Sequence, residues 1–192
     1  MSTHLTLIAG LGNPEPRYER TLHNAGFWFA DEVARRHSGI FRHEKRFDAD
    51  VCKVSIAGNE VWIAKPQSYM NLSGAPIRAM LDYYRLEAGQ LLVAHDEIDL
   101  PAGTVRLKLG GGHGGHNGLR DVIRHCGADF MRLRLGVGHP GHKDQVTAHV
   151  LKNASAEIES AVNRNIGEAA DVLPLLVEQG LNAAMKQLHT KD

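Results

Sequence analysis

Between Leu109 and Gly118 the chain reads Leu-Gly-Gly-Gly-His-Gly-Gly-His-Asn-Gly, residue types that fit no packed helix or strand interior. Glycine reaches backbone conformations closed to other residues and carries no side-chain bulk, so the run predicts a loop that a partner can approach closely. His113, His116 and Asn117 add polar groups that a turn serving only to reverse the chain does not need. A helix is expected immediately afterwards, over Gly118–Cys126, its first amides turned toward the loop, where they favour anions and polarised oxygens. Elsewhere His23 can handle a proton, because an unperturbed histidine titrates near ~6.5, close to working pH. A carboxylate such as Asp96 on its other ring nitrogen would fix the tautomer and raise its pKa. Asn13, Asn71 and Asn117 do not titrate near neutrality, but they donate and accept, which suits them to orient an amide, a water or a developing oxyanion. The simplest chemistry for this set is water activated by a histidine–aspartate dyad.

Other chemistries lack their residues. There is no Gly-x-Ser-x-Gly elbow; Ser68 and Ser73 suit a turn and a helix cap, and Cys52 and Cys126 suit reduced core positions. Water is left as the attacking group. His113 and His116, like His139 and His142, are three apart but lie in glycine- and proline-rich loops, with no His-Glu-x-x-His helix or cysteine pair, so no metal site is expected. Gly10-Leu11-Gly12-Asn13 is half a dinucleotide fingerprint, yet Pro14 stands where the phosphate-binding helix would begin, so no organic cofactor is expected either.

Cations give the substrate a charge. Arg106 and Lys108 alternate in one strand segment and Arg132 and Arg134 in another, each pair sharing a face, while Val105, Leu107, Met131, Leu133 and Leu135 can fill the opposite, buried face. Arg120 and Arg124 add a pair at helical spacing. Beside the glycine loop these residues could bind phosphates, although the net charge is zero with histidine neutral.

The positioning elements follow from periodicity. Strands are expected over Leu5–Gly10, Ala49–Ala57, Glu60–Lys65, Gln90–His95, Thr104–Leu109 and Met131–Val137, with Gly58-Asn59 as a hairpin turn. Helices are expected over Asn24–His37, Ser73–Arg85, Gly118–Cys126 and from Ser155 onward, where Pro174 and Gly180 should interrupt the last. This alternation predicts an α/β fold: one domain over residues 1–192, with a twisted, mixed, mostly parallel sheet flanked by helices. In such sheets sites collect beyond the carboxyl ends of the strands. Asn13, the Tyr69-Met70-Asn71 run, Asp96 and the glycine loop all follow predicted strands. At 192 residues, 43% hydrophobic and 23% charged, the chain can bury a core without staples. The first residues carry no basic leader or long apolar stretch, so a cytoplasmic protein with no membrane partner is expected. No apolar surface stripe is evident, and a monomer without an obligate protein partner is expected.

Taken together, Gly10-Leu11-Gly12-Asn13-Pro14 with Tyr18, His23-Asn24-Ala25-Gly26, Met70-Asn71-Leu72-Ser73-Gly74, His95-Asp96-Glu97-Ile98-Asp99-Leu100-Pro101 and Gly110 to Gly118 resemble, in order, the motifs of the bacterial peptidyl-tRNA hydrolases. The resemblance runs from about residue 4 to the C-terminal helix. It implies hydrolysis of the ester between a peptide and the 3′-terminal ribose of tRNA, with peptidyl-tRNA as partner and neither metal nor organic cofactor. It implies that His23 is the general base and Asp96 its partner. Asn13, Asn71 and Asn117, with Gly114 and His116, would hold peptide and water, Tyr18, Tyr69 and Met70 would wall the cleft, and residues 138–150 would form a mobile lid. It further implies that Lys108 and Arg134 grip the tRNA 5′-phosphate, with Arg106 and Lys143 nearby. The chain departs from the family at Glu15, commonly glycine, at Leu22, usually arginine, and at His142, often acidic. Two rivals use fewer of these residues: a nonenzymatic RNA-binding module, which leaves His23, Asp96 and the asparagines idle, and a small-molecule amidase or esterase, which leaves the cations idle.

Overall fold

The computed structural model describes residues 4–190. Its strands are β1 (Leu7–Gly10), β2 (Arg42–Glu44), β3 (Ala49–Ile56), β4 (Asn59–Pro66), β5 (Leu91–Glu97), β6 (Val105–Leu109) and β7 (Met131–Gly136). Its helices are α1 (Ala25–Arg36), α2 (Gly74–Tyr84), α3 (Asn117–Cys126), α4 (Val146–Val150), α5 (Ala156–Gln179) and α6 (Leu181–His189). The strands form one sheet in the order β2-β3-β4-β1-β5-β7-β6. The central four, β4-β1-β5-β7, run parallel, and antiparallel strands flank them on both sides.

Helices cover both faces, which is why the inner strands read as nearly continuous apolar runs. Along β5, Leu92 and Ala94 face a core shared with α1, α5 and α6, while Leu91 and Val93 face a second core shared with α2 and α3. Contact between α1 and the sheet is close enough to require glycine. A Cβ on Gly26 would lie 2.3 Å from the Ala94 carbonyl oxygen and 2.5 Å from the Leu11 amide nitrogen, both backbone atoms. The start of α1 is thereby seated on the carboxyl ends of β1 and β5.

Local chemistry corrects two expectations and adds one strand. The hairpin turn is Ala57-Gly58, because Ile56 pairs with Asn59; both turn residues take positive φ, 50° and 78°, as a primed turn requires. Pro174 does not interrupt α5, which runs unbroken through it to Gly180. Its lost hydrogen bond and ring clash cost about 3 kcal/mol. Around it Ile166, Ala169, Ala170, Leu173, Leu176 and Val177 are buried, and the larger of these contribute roughly 1.5–3 kcal/mol each. The short edge strand β2, its residues all charged or polar, has no apolar alternation to reveal it. At the other edge α6 covers β6, where the Leu107 amide donates to His189 Nε2 at 3.0 Å, pairing an edge donor that would otherwise be open.

Candidate active site

His23 lies in a single 3₁₀ turn, Leu22–Asn24, that leads into α1, and Asp96 lies near the end of β5. The seating of α1 on β5 brings the two side chains together although 73 residues separate them. His23 Nδ1 is 2.9 Å and 3.0 Å from the two Asp96 carboxylate oxygens. An ionised carboxylate only accepts, so Nδ1–H donates and the lone pair is on Nε2. A second imidazole completes the arrangement, with His116 Nε2 2.8 Å from Asp96 Oδ1. His116 is also the N-cap of α3, where its Nδ1 accepts from the Leu119 amide at 3.1 Å. Its proton must therefore sit on Nε2, aimed at Asp96. The sequence expectation that the helix start faces the loop with open amides is corrected to this extent: His116 takes up the Leu119 donor.

Burial and charge compete at the dyad. Burial pushes the His23 imidazole toward its neutral form, but the charge and hydrogen bond of Asp96 outweigh it and raise its pKa above the ordinary 6.5. Burial likewise favours a protonated Asp96, and the two imidazoles overcome it, holding the carboxyl well below its ordinary range. His95, beside Asp96 on β5, is different: burial and the neighbouring His116 push it down to about 4. Both thiols are pushed up by burial to about 11, which suits packing rather than attack. His23, Asp96 and His116 offer three ligand atoms within 4.8 Å of one another. Both imidazole N–H groups point at the same carboxylate, however, and the Leu119 amide occupies the other nitrogen of His116. The set is hydrogen-bonded internally in a way that a resident cation would have to dismantle.

The dyad opens into a cleft of about 120 Å³. Gly114, Gly115, His116 and Asn117 form one side, and Ile98, Val146, Val150 and Leu151 supply an apolar side. Asn117 is the first residue of α3 and is exposed. Asn13 and Met70 adjoin the cleft indirectly: Asn13 Oδ1 accepts from the Met70 amide at 2.8 Å, and a Cβ on Gly118 would meet Met70 Sδ at 2.5 Å and His116 Cε1 at 3.0 Å. With one lone pair of its oxygen on the Met70 amide, Asn13 has to offer its NH₂ group, which donates to no group among the described residues. Tyr69 and Asn71 flank Met70 and are exposed, while Tyr18 is half-buried with the Arg17 guanidinium 4.6 Å over its ring. Among the described residues no hydrogen bond, ion pair or ring contact joins Tyr18, Tyr69 or Asn71 to the dyad, and none of the three lines its cleft.

The cations divide. The register sets Arg106 opposite Arg134 and Lys108 opposite Arg132, two like-charged pairs on one face of β6 and β7. Lys108 and Arg134 share a cavity with His113 and Gly114, and Arg134 Nε donates to Glu97 at 2.8 Å. Arg106 is half-buried and Lys143 is exposed on the Lys143–Gln145 turn; neither lines that cavity. Arg132 lines the same cavity but is buried at 3% exposure, its guanidinium turned to backbone carbonyls. Glu15 takes φ −68°, an ordinary conformation for a side chain, and pairs with Arg17.

Two positioning residues lie outside the sequence expectations. Asn24 spans Asn13, accepting from its amide at 2.8 Å and donating to its carbonyl at 2.9 Å. Asp121 accepts from the Gly74 amide at 2.8 Å and so caps α2, the task expected of Ser73, whose hydroxyl instead donates back to the Met70 carbonyl. The His23-Asn24 motif carried a signal for the first; nothing local marks the second, whose partner is a backbone amide 47 residues away.

A family model described as peptidyl-tRNA hydrolase matches residues 7–192. The chain is 51% identical over 187 residues to a peptidyl-tRNA hydrolase of Halorhodospira halophila, covering 97% of this chain and 96% of the relative. It is 50% identical over 190 residues to one from Xanthomonas axonopodis pv. citri, covering 98% of each. Among solved structures, peptidyl-tRNA hydrolase from Acinetobacter baumannii superposes with a TM-score of 0.97 at 40% identity, covering 100% of this chain and 98% of that one. A purine nucleoside phosphorylase of Toxoplasma gondii, at 8% identity and a TM-score of 0.52, shares the fold alone.

Proposed function

The chain belongs to the peptidyl-tRNA hydrolase family and hydrolyses peptidyl-tRNA, and from that premise we propose that His23 is the general base and Asp96 the group that orients it. His23 Nε2 takes a proton from water as the water oxygen attacks the ester carbonyl. The oxyanion that forms is met by amide donors, Asn117 at the cleft and the asparagines 13 and 71 beside Met70. Collapse of the intermediate breaks the bond to the ribose 3′ oxygen, which recovers the proton from His23, and peptide acid and tRNA leave. The contact of His23 Nδ1 with both Asp96 oxygens carries this reading, because it alone leaves Nε2 basic and facing the cleft.

On the same reading Gly114, His116, Tyr18, Tyr69 and Met70 shape the peptide site. Lys108 and Arg134 take the tRNA 5′-phosphate, with Arg106 and Lys143 contributing at longer range. Residues 138–150 act as a lid over the single domain; Val146 and Val150 already face the dyad across the cleft. The reading extends to a cytoplasmic monomer needing neither metal nor organic cofactor, since water and an imidazole suffice for the ester. Release of peptide from peptidyl-tRNA tests it: His23→Ala should turn over ~10²–10⁴ times more slowly than the wild type while still binding tRNA. Turnover within tenfold of wild type would remove His23 from the role of base.

A further inference from the structure

Arg132 is a buried cation without a buried anion. Among the described residues no carboxylate lies within ion-pair distance of it, and Glu97, on the neighbouring strand, is engaged by Arg134. Its guanidinium donates instead to backbone carbonyls: Nη1 to Gly112, and Nη2 to Gly111 at 2.7 Å and to Ala128 at 3.1 Å. It also stacks over Phe130 at 4.4 Å, and its Nε has no partner. Carbonyl dipoles solvate such a charge without neutralising it, so positive potential persists directly beneath the glycine loop.

The same contacts orient the loop. Among the described residues no peptide bond is cis, and a trans peptide points its N–H away from its C=O. With the Gly111 and Gly112 carbonyls turned inward to Arg132, the amides of Gly112 and His113 turn outward, and neither donates to any group among the described residues. Gly111 reaches this geometry at φ 109°. A Cβ there would lie 2.9 Å from Lys108 Nζ, so the lysine ammonium rests against the same loop.

We infer that the amides of Gly112 and His113, with Lys108, form a seat for a phosphate group of the RNA substrate, and that Arg132 is the positioning residue that aims them. Successive amides pointing into one concavity bind anions by this means elsewhere. The inference rests on the reading of Lys108 and Arg134 as phosphate ligands, and it adds main-chain donors to that pair.

The test uses steady-state hydrolysis of peptidyl-tRNA carrying or lacking its 5′-phosphate, with melting temperature as the folding control. Gly112→Pro deletes one amide on an exposed loop, and Arg132→Lys keeps the charge but replaces the planar fork that reaches the Gly111, Gly112 and Ala128 carbonyls with a single compact ammonium. Each should raise KM about tenfold, the scale of a charge-assisted hydrogen bond, with a smaller change in kcat. Gly112→Ala retains the N–H, with no atom within 4 Å of its Cβ, and should recover most of that loss. A penalty that disappears on the dephosphorylated substrate assigns the seat to the terminal monoester; one that persists assigns it to an internal diester. Folded Gly112→Pro protein with wild-type KM overturns the inference, whatever becomes of Arg132→Lys. If Lys108→Glu also leaves KM unchanged, the underlying phosphate reading falls with it; if Lys108→Glu raises KM, only the amide seat is lost.

Discussion

A carboxylate that accepts from two imidazoles fixes a proton on each, and at Asp96 this has a consequence with a sign. Burial alone would push His23 below its ordinary pKa, and Asp96 turns the shift upward. A base must be neutral to act, so activity should fall as pH drops, with the midpoint of kcat/KM lying above 6.5. Asp96→Asn removes the charge and leaves the burial, and the midpoint should move below 6.5 while turnover falls by less than in His23→Ala. A pH–rate profile on both proteins checks this; an unshifted midpoint in the asparagine variant would mean that Asp96 does not set the basicity of His23. Sequence made His23, Asp96 and Asn117 legible because each residue type has a narrow chemical repertoire. It did not reveal that Asn13 spends its oxygen on the Met70 amide, or that His116 joins the dyad, because both facts depend on partners in other elements.

At the scale of elements, the site exists because α1 lies on β1 and β5 at a distance only glycine permits. Gly26→Ala would drive a methyl into the Ala94 and Leu11 backbone, neither of which is a flexible side-chain end. Overpacking of this kind costs about 1–3 kcal/mol or more, and at about 2–4 °C per kcal/mol for a chain of this size a lowered melting temperature should report it. Activity should drop further than the loss of folded protein explains, since His23 precedes this helix; a variant as stable and active as wild type would contradict the close seating. Most strand and helix limits could be read to within a residue or two, because inner strands covered on both faces and amphipathic helices leave strong apolar patterns. Pro174 and β2 were misread or missed for the complementary reason: tertiary burial overrode a local rule in the first, and an exposed edge carries no pattern in the second. Arg132, Asp121 and His189 stayed illegible because each binds main-chain atoms, which have no letter in the sequence.

For the whole molecule, zero net charge means that affinity for RNA must come from where the cations are placed. On the proposed reading Lys108 and Arg134 provide it, on a face where the strand register sets Arg106 against Arg134 and Lys108 against Arg132, like-charged pairs that disfavour each other. KM for peptidyl-tRNA should therefore rise with salt, and Lys108→Glu should raise it at low salt while flattening the logarithmic salt slope by about one. A steep slope that survives the substitution would place the phosphate contacts elsewhere on the surface. Among the described residues no helix is long and apolar enough to cross a membrane, and the two cores on either side of the sheet hold the buried apolar residues except Phe27 and Val150.

The segment that lines the cleft with Val146 and Val150 is fastened unequally at its two ends. Past Leu151 the chain runs alongside the stretch that leads into His23: Thr21 bridges Asn153, the Ala154 amide donates to the Arg20 carbonyl at 3.0 Å, and Arg20 pairs with Glu159. At the other end Gly138 and Gly141 sit at φ 79° and 101°, and the His149 ring holds the Val137 carbonyl. One margin is thus joined to the polypeptide that carries His23, and the other turns at two glycines and is held to the body by the His149–Val137 contact and the Gly138 amide on the Leu100 carbonyl. If residues 138–150 act as the proposed lid, a bulky nucleic-acid end should enter at the glycine margin, and lifting the margin joined to residues 20–22 should disturb His23, which follows them directly.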